Sequence, residues 1–379
     1  MTEPTAAPHP DPNVALRTPP DGIRPSSFLG LIDDILRQHS VEAVLADQLR
    51  AVRETLTNRG TSHPFLSVLL RTQGQRIEPL KDALLCLSGQ TDEDFEVILI
   101  DHAAPPEAAA EVRRIVDQQR PSFRDRITVI EVQGGSRASP LNVAVAAARG
   151  RYIAVYDDDD LVFGNWVEEF QKASERGDGR LVRSIVATQR VRPETWSSGA
   201  TGFRSLNWPK AEYAKTFDQL AHLRSNHSPF MSWAFPSTLF TKFGLEFDEN
   251  LSVCEDWDMI LRGSFLCGVD QADALTAVYR RWEGASSSYT IHSVEAWRAS
   301  EARVIEKLDR GSVIFPPGSI EQIRALIGTD RTAEELRLVL GSWSWRLTRP
   351  VRAAKVKALT VNFYFEKAKT SIRRRLLGP

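Results

Sequence analysis

Four consecutive carboxylates, Asp157-Asp158-Asp159-Asp160, follow directly on the apolar run Tyr152-Ile153-Ala154-Val155-Tyr156. Adjacent anions repel and raise one another's pKa unless a cation compensates them, so a buried strand that ends this way predicts a site for a cation and phosphate. Alternate side chains of a strand share a face, which lets Asp157 and Asp159 reach one ion from the same side. Magnesium or manganese fits best, because such ions take one or two protein carboxylates and complete their shell with substrate phosphates. A solvated acidic turn is the plain alternative for the aspartates taken alone. An EF-hand fits poorly, since Leu161 and Val162 stand where its loop needs further ligands and a glycine.

The elements around this block follow from pattern. Phe65–Leu70, Val97–Ile100, Thr128–Val132 and Tyr152–Tyr156 are short β-branched or apolar runs that predict buried strands. Arg76–Leu87, Pro106–Gln119 and Pro140–Ala148 between them predict helices. Such alternation implies an α/β domain with a doubly wound, mainly parallel sheet covered on both faces. Ligands of these sheets sit beyond the carboxyl ends of the strands, where Thr72, Asp101 and the aspartates all fall. Residues 181–290 read as less regular, with Asn226–Pro236 a loop followed by a helix from about Glu255 to Phe265. Upstream, residues 1–26 are proline-rich and predict disorder, whereas Val41, Val44, Leu45, Leu49, Val52 and Leu56 predict an amphipathic helix within 27–60 that packs on the main domain. A main domain over 61–293, a helical extension over 294–345 and a basic tail over 346–379 complete the expected organisation.

A second acidic cluster, Glu255-Asp256-Trp257-Asp258, is followed by Arg262. By itself it reads as a helix N-terminus with dipole-complementing carboxylates and an Asp258–Arg262 pair. Beside the aspartate block it offers a separate carboxylate that can take a proton from an incoming nucleophile. That division of labour suits nucleotide-sugar transfer, and over residues 64–288 the chain resembles family 2 glycosyltransferases of the GT-A fold. Ser67-Val68-Leu69-Leu70-Arg71-Thr72 is similar to their first strand, and Phe95–Asp101 to the second with its nucleotide-contacting aspartate. Pro140-Leu141-Asn142 through Gly150-Arg151-Tyr152-Ile153 is similar to the helix and strand leading into the metal-binding aspartates, and Phe247–Leu251 with Glu255-Asp256-Trp257 to the segment bearing the catalytic base. Arg71, Gln73-Gly74 and His102-Ala103-Ala104 depart from the residues usual at those places.

The resemblance implies an inverting transfer from a nucleotide-diphosphate sugar to a hydroxyl of a glycan or lipid-linked glycan, in cell-surface polysaccharide synthesis. It implies Asp256 as base, with Glu255 as its rival. Metal contacts are expected from Asp157, Asp159, Asp160 and His292, with His227 as rival to the last, and donor contacts from Thr72, Asp101, Arg137 and Asp158. Two other classes remain: a noncatalytic glycan- or nucleotide-binding subunit, and a sugar-phosphate nucleotidyltransferase, for which Arg71-Thr72-Gln73-Gly74-Gln75-Arg76 is a thin loop candidate.

The 379 residues, 42% hydrophobic with a formal charge of −1, suffice for a large core and give no whole-protein reason to bind nucleic acid. Cys86, Cys254 and Cys267 are too scattered for a disulfide framework or thiolate zinc site, and no Gly-x-Gly-x-x-Gly or P-loop sequence occurs. With no long apolar run and no signal-peptide pattern, a cytosolic protein, soluble or peripherally attached, is expected. Ser342–Pro350 is similar to a segment near the ends of some bacterial surface-polysaccharide glycosyltransferases. The tail beyond sets Arg352, Lys355, Lys357, Lys367, Lys369, Arg373, Arg374 and Arg375 against Glu366 around Phe363-Tyr364-Phe365, which suits an anionic membrane face.

Overall fold

The computed structural model describes residues 63–177, 179–199, 201–284, 291–315 and 319–342, with 42–57 and a few isolated positions besides. The expected disordered segment over 1–26 and the tail beyond 350 lie outside the described residues. Residues 1–317 and 318–379 form separate compact units.

In the first unit β1 (Leu66–Thr72), β2 (Phe95–His102) and β4 (Tyr152–Asp157) are buried nearly throughout, as strands covered on both faces must be. With β3 (Ile127–Val132) they pair in parallel in the order β3-β2-β1-β4. The chain moves outward from β1 to β3 and then returns to β1's other side with β4, so the crevice between the ends of β1 and β4 is a topological switch point. Arg71 stands level with Asp157 in that ladder. Helices cover both faces. Val68, Leu70, Ala154 and Tyr156 point toward α2 (Ile77–Ser88), α3 (Pro106–Asp117) and α5 (Trp166–Ser174). Leu69, Ile153 and Val155 point toward α4 (Ser139–Ala147) and α7 (Glu255–Cys267). Gly150 is required at the entry to β4, because a Cβ there would lie 2.4 Å from the Ser67 amide nitrogen.

The second half differs from the loop-rich reading of 181–290. β6 (Leu181–Thr195) and β9 (Val269–Trp282) are long strands paired in parallel, and β8 (Trp233–Pro236) joins them antiparallel to β4. β7 (Thr201–Ser205) pairs with β6, and the two-residue β5 (Leu161–Val162) pairs with β9. The apolar alternation is hidden because Arg183, Ser184, Thr188, Thr276 and Arg280 are polar yet buried, each hydrogen-bonded within the fold. Asn226–Pro236 is likewise not wholly loop, since its last four residues are β8. A short helix α6 (Gln219–Arg224) precedes it, capped by the Asp218 side chain.

The amphipathic N-terminal helix is present as α1 (Ala43–Thr57), but its stripe is not packed as expected. Val44, Leu45 and Val52 are exposed, and the helix meets the domain through Leu49, beside Phe243 and Ile32. The expected helical extension is α8 (Val294–Asp309) in the first unit and α9 (Ser319–Gly341) in the second. No helix among the described residues is long and apolar enough to cross a membrane.

Candidate active site

The ends of β1 and β4, the loop before α4, the start of α7 and the end of β9 converge on one cavity of about 660 Å³. Its walls carry Arg71, Thr72, Arg76, Arg137, Asp157, Asp158, Asp159, Asp160, Glu255 and Asp256. Residues separated by almost two hundred positions therefore face a common space, as the two acidic clusters predicted.

The aspartate block is compensated by arginines. Arg71, 8% exposed, donates from Nε and Nη2 to Asp157 Oδ1 at 3.0 and 2.8 Å and from Nη1 to the Arg137 carbonyl at 2.8 Å. The same Nη1 lies 3.5 Å from Glu255 Oε1, which also accepts from Arg137 Nε at 2.8 Å. Burial disfavours the Asp157 carboxylate, but Arg71 and then Arg137 outweigh it and hold its pKa below the usual value. Glu255 is lowered likewise: burial opposes ionisation, and Arg137 and Arg71 prevail. Arg76 ion-pairs with Asp159.

Asp158 and Asp160 have different surroundings. Thr72 Oγ1 donates to Asp158 at 2.6 Å, yet burial pushes that carboxyl up to about 6. Asp160 accepts the Arg280 amide at 2.8 Å, and burial raises its pKa well above the usual value. Asp160 is thus anchored to β9 in the cavity wall.

Asp256 faces the same cavity from the start of α7. Its Oδ2 receives Asn226 Nδ2 at 2.8 Å and its Oδ1 the Trp257 amide at 2.7 Å. Burial, and next the charge of Glu255, push its pKa up to about 6. Cys254, with φ of 68°, turns the chain through the left-handed region just before these two acids and so sets how they enter the cavity. Asp258, two residues and so about half a turn along, faces away: it binds Arg262 on its own helix at 2.6 Å and Lys307 of α8 at 2.7 Å. Lys307 also reaches Asp248 at 3.1 Å, and Leu261 and Trp257 pack against Val304 and Trp297 along the same seam.

Asp101 is not brought to the wall. It is buried, and its Oδ1 accepts the Ala104 amide at 3.1 Å in a turn where Ala103 has φ of 55°; His102 lines the cavity instead. His292 and His227 are not on the wall either, and His227 shares a 2.9 Å hydrogen bond with Ser225. Sequence reasoning missed Asn226, Tyr213 and the Arg280-Arg281-Trp282 wall. Those last three end a strand whose alternation is hidden by buried polar residues, so no local signal singles them out. The Arg280 guanidinium lies over both the Phe203 and Trp282 rings, 4.6 and 5.2 Å from their centroids, and Trp282 Nε1 donates to the Asp159 carbonyl at 3.2 Å.

The donor set fits a metal that borrows its ligands from substrate. The arginine bonds engage Asp157 through Oδ1 and Asp159 through Oδ2, which leaves the second oxygen of each for a cation. No group of three or more His, Cys, Asp or Glu side chains converges among the described residues, so phosphate and water oxygens would complete an octahedral shell.

Residues 73–235 match the family model described as Glycosyl transferase family 2. Among curated proteins, the chain is similar to an uncharacterised glycosyltransferase, EpsJ, of Bacillus subtilis, 25% identical over 202 residues that are 51% of this chain and 54% of that protein. It is also similar to an uncharacterised glycosyltransferase of Methanocaldococcus jannaschii, 29% identical over 107 residues, 28% of this chain and 36% of the relative. The chain thus spans about half the length, or less, of the curated relatives it matches. A crystal structure of S. aureus TarS in complex with UDP-GlcNAc superposes with a TM-score of 0.47 at 15% identity, covering 64% of this chain and 66% of that one.

Proposed function

Given that this chain carries a family 2 glycosyltransferase domain of GT-A fold, we propose that it transfers a sugar, with inversion, from a nucleotide-diphosphate donor to a glycan or lipid-linked glycan hydroxyl. The observation that carries this reading is Asp256, tethered by Asn226 and set in the same cavity as Asp157 and Asp159. In the reaction the acceptor oxygen attacks the anomeric carbon from the side opposite the diphosphate. Its proton passes to Asp256, the new carbon–oxygen bond forms, and the bond to phosphate breaks with its electron pair leaving on the nucleoside diphosphate. Asn226 and the Trp257 amide orient the base, and Glu255, held by Arg71 and Arg137, keeps it basic enough to act near neutral pH. Arg137 and Arg76 supply donors for the diphosphate oxygens. Magnesium or manganese held by Asp157 and Asp159 would offset charge developing on the leaving group.

The proposed setting is cell-surface polysaccharide synthesis at the cytoplasmic membrane face, and the support is the basic, aromatic segment after Pro350. The test is a panel of nucleotide sugars assayed for donor binding and hydrolysis with the native chain and with Asp256→Asn. Turnover should fall by about 10²–10⁴ in the variant with donor affinity little changed. Because Asp256 must be ionised to act and its pKa is about 6, activity should decline as pH drops through that value. Full activity of Asp256→Asn beside an inactive Glu255→Gln would identify the other carboxylate as base.

A further inference from the structure

Two arginines compensate the aspartate block, and they are held in opposite ways. Arg71 has an 8% exposed side chain whose guanidinium is shared among Asp157, Glu255 and the Arg137 carbonyl. Withdrawing it would leave buried Glu255 with Arg137 alone and Asp157 with water in its place. Arg76 stands at the mouth, on the loop joining β1 to α2, with a side chain 31% exposed, and pairs with Asp159, itself 20% exposed.

Resting on the nucleotide-diphosphate reading of this cavity, we infer that Arg76 is an exchangeable counter-ion. It holds Asp159 until the donor binds and then transfers to the diphosphate, so that metal and diphosphate bind as a mutually dependent pair. A divalent cation that takes the other oxygen of Asp159 while Arg76 stays paired must sit beside the guanidinium, an unfavourable like-charge contact. A diphosphate removes that conflict, because its oxygens accept the planar guanidinium in charge-assisted, bidentate geometry. The exchange balances only when both ligands are present. By linkage, each then strengthens the other's binding by one common factor. Arg76 is accordingly a positioning residue for the donor and a brake on binding of metal by itself.

The probes are manganese ion and inorganic pyrophosphate, which make the test independent of the nucleobase. The native chain and Arg76→Met are titrated with manganese alone, read by the free-ion paramagnetic signal, and with the manganese–pyrophosphate complex, read by calorimetry. Association of the two probes in solution is common to both proteins and cancels in the comparison. Manganese alone should bind Arg76→Met about two- to fivefold more tightly, the scale of a part-exposed ion pair. The manganese–pyrophosphate complex should bind the variant about tenfold or more weakly, the scale of lost charge-assisted hydrogen bonds. Arg76→Lys should keep part of both effects, and Arg76→Gln repeats the test if thermal melting shows that the methionine variant is unfolded. Manganese affinity that is unchanged or reduced in the folded variants overturns the exchange. A native chain that binds no manganese–pyrophosphate overturns the diphosphate reading itself, and the inference with it.

Discussion

Replacing Arg71 by methionine should destabilise the domain in a pH-dependent way. Methionine fills much of the same space, so the principal loss is a guanidinium that serves Asp157 and Glu255 together. Removing one partner of a buried pair costs about 3–5 kcal/mol when the remaining charge has no other compensation. Glu255 keeps Arg137 at 2.8 Å, and Asp157, with a side chain 33% exposed, retains access to water. The expected loss is therefore at or below the lower end, about 2–3 kcal/mol, or roughly 4–12 °C in melting temperature for a domain of this size. Both carboxylates have pKa values lowered in the folded state, so their stabilisation is present above their ordinary values and disappears as pH falls through the lowered ones. In the variant those folded-state values rise, and protonation as the pH falls relieves the buried charge. Urea melts of the native and Arg71→Met chains at pH 7.5 and pH 4.5 should show a deficit that shrinks at the lower pH. An equal deficit at both would mean that lost packing, and not uncompensated charge, accounts for it. No deficit at either would refute the clamp altogether.

Asp159→Ala should abolish the manganese-dependent part of nucleoside diphosphate binding and leave the fold intact, because repulsion within the block is relieved as well; unchanged metal dependence by calorimetry would remove Asp159 from the ligand set. The complete chain should co-sediment with anionic vesicles at low salt, at about 1 kcal/mol per engaged basic residue, and lose this when truncated after Pro350. Equal sedimentation of both forms would point to a soluble acceptor or a protein partner.

The parallel half of the sheet was legible because its strands are apolar on both faces and its helices begin at proline or polar punctuation. Predicted and observed boundaries there differ by about two residues, the usual uncertainty at element ends. The long strands β6 and β9 were not legible, since Arg183 and Arg280 satisfy themselves through partners distant in sequence, which no local pattern reveals. The same limit applies at the site. Strand alternation and the resemblance singled out Asp157, Asp159 and Asp256, but not the arginines that hold them. Arg71 looked like a departure, and it proves to be the residue that links the two acidic clusters. Asp101 stood at a suitable strand end, yet the turn through Ala103 gives its carboxylate a local backbone partner.

The seam between α7 and α8 has a mechanical meaning. Lys307 grips Asp258 and Asp248 together, Arg303 adds a second hold on Asp248, and Trp257, Leu261 and Val304 fill the space between. α7 begins beside Asp256 at the cavity, packs on the sheet through Met259 and Ile260, and is tied on its other side to α8. On the opposite wall Asp157 and Asp158 extend from the sheet itself and have no comparable handle. Asp256 thus stands on a helix that is anchored to α8 outside the cavity, whereas Asp157 belongs to the sheet itself.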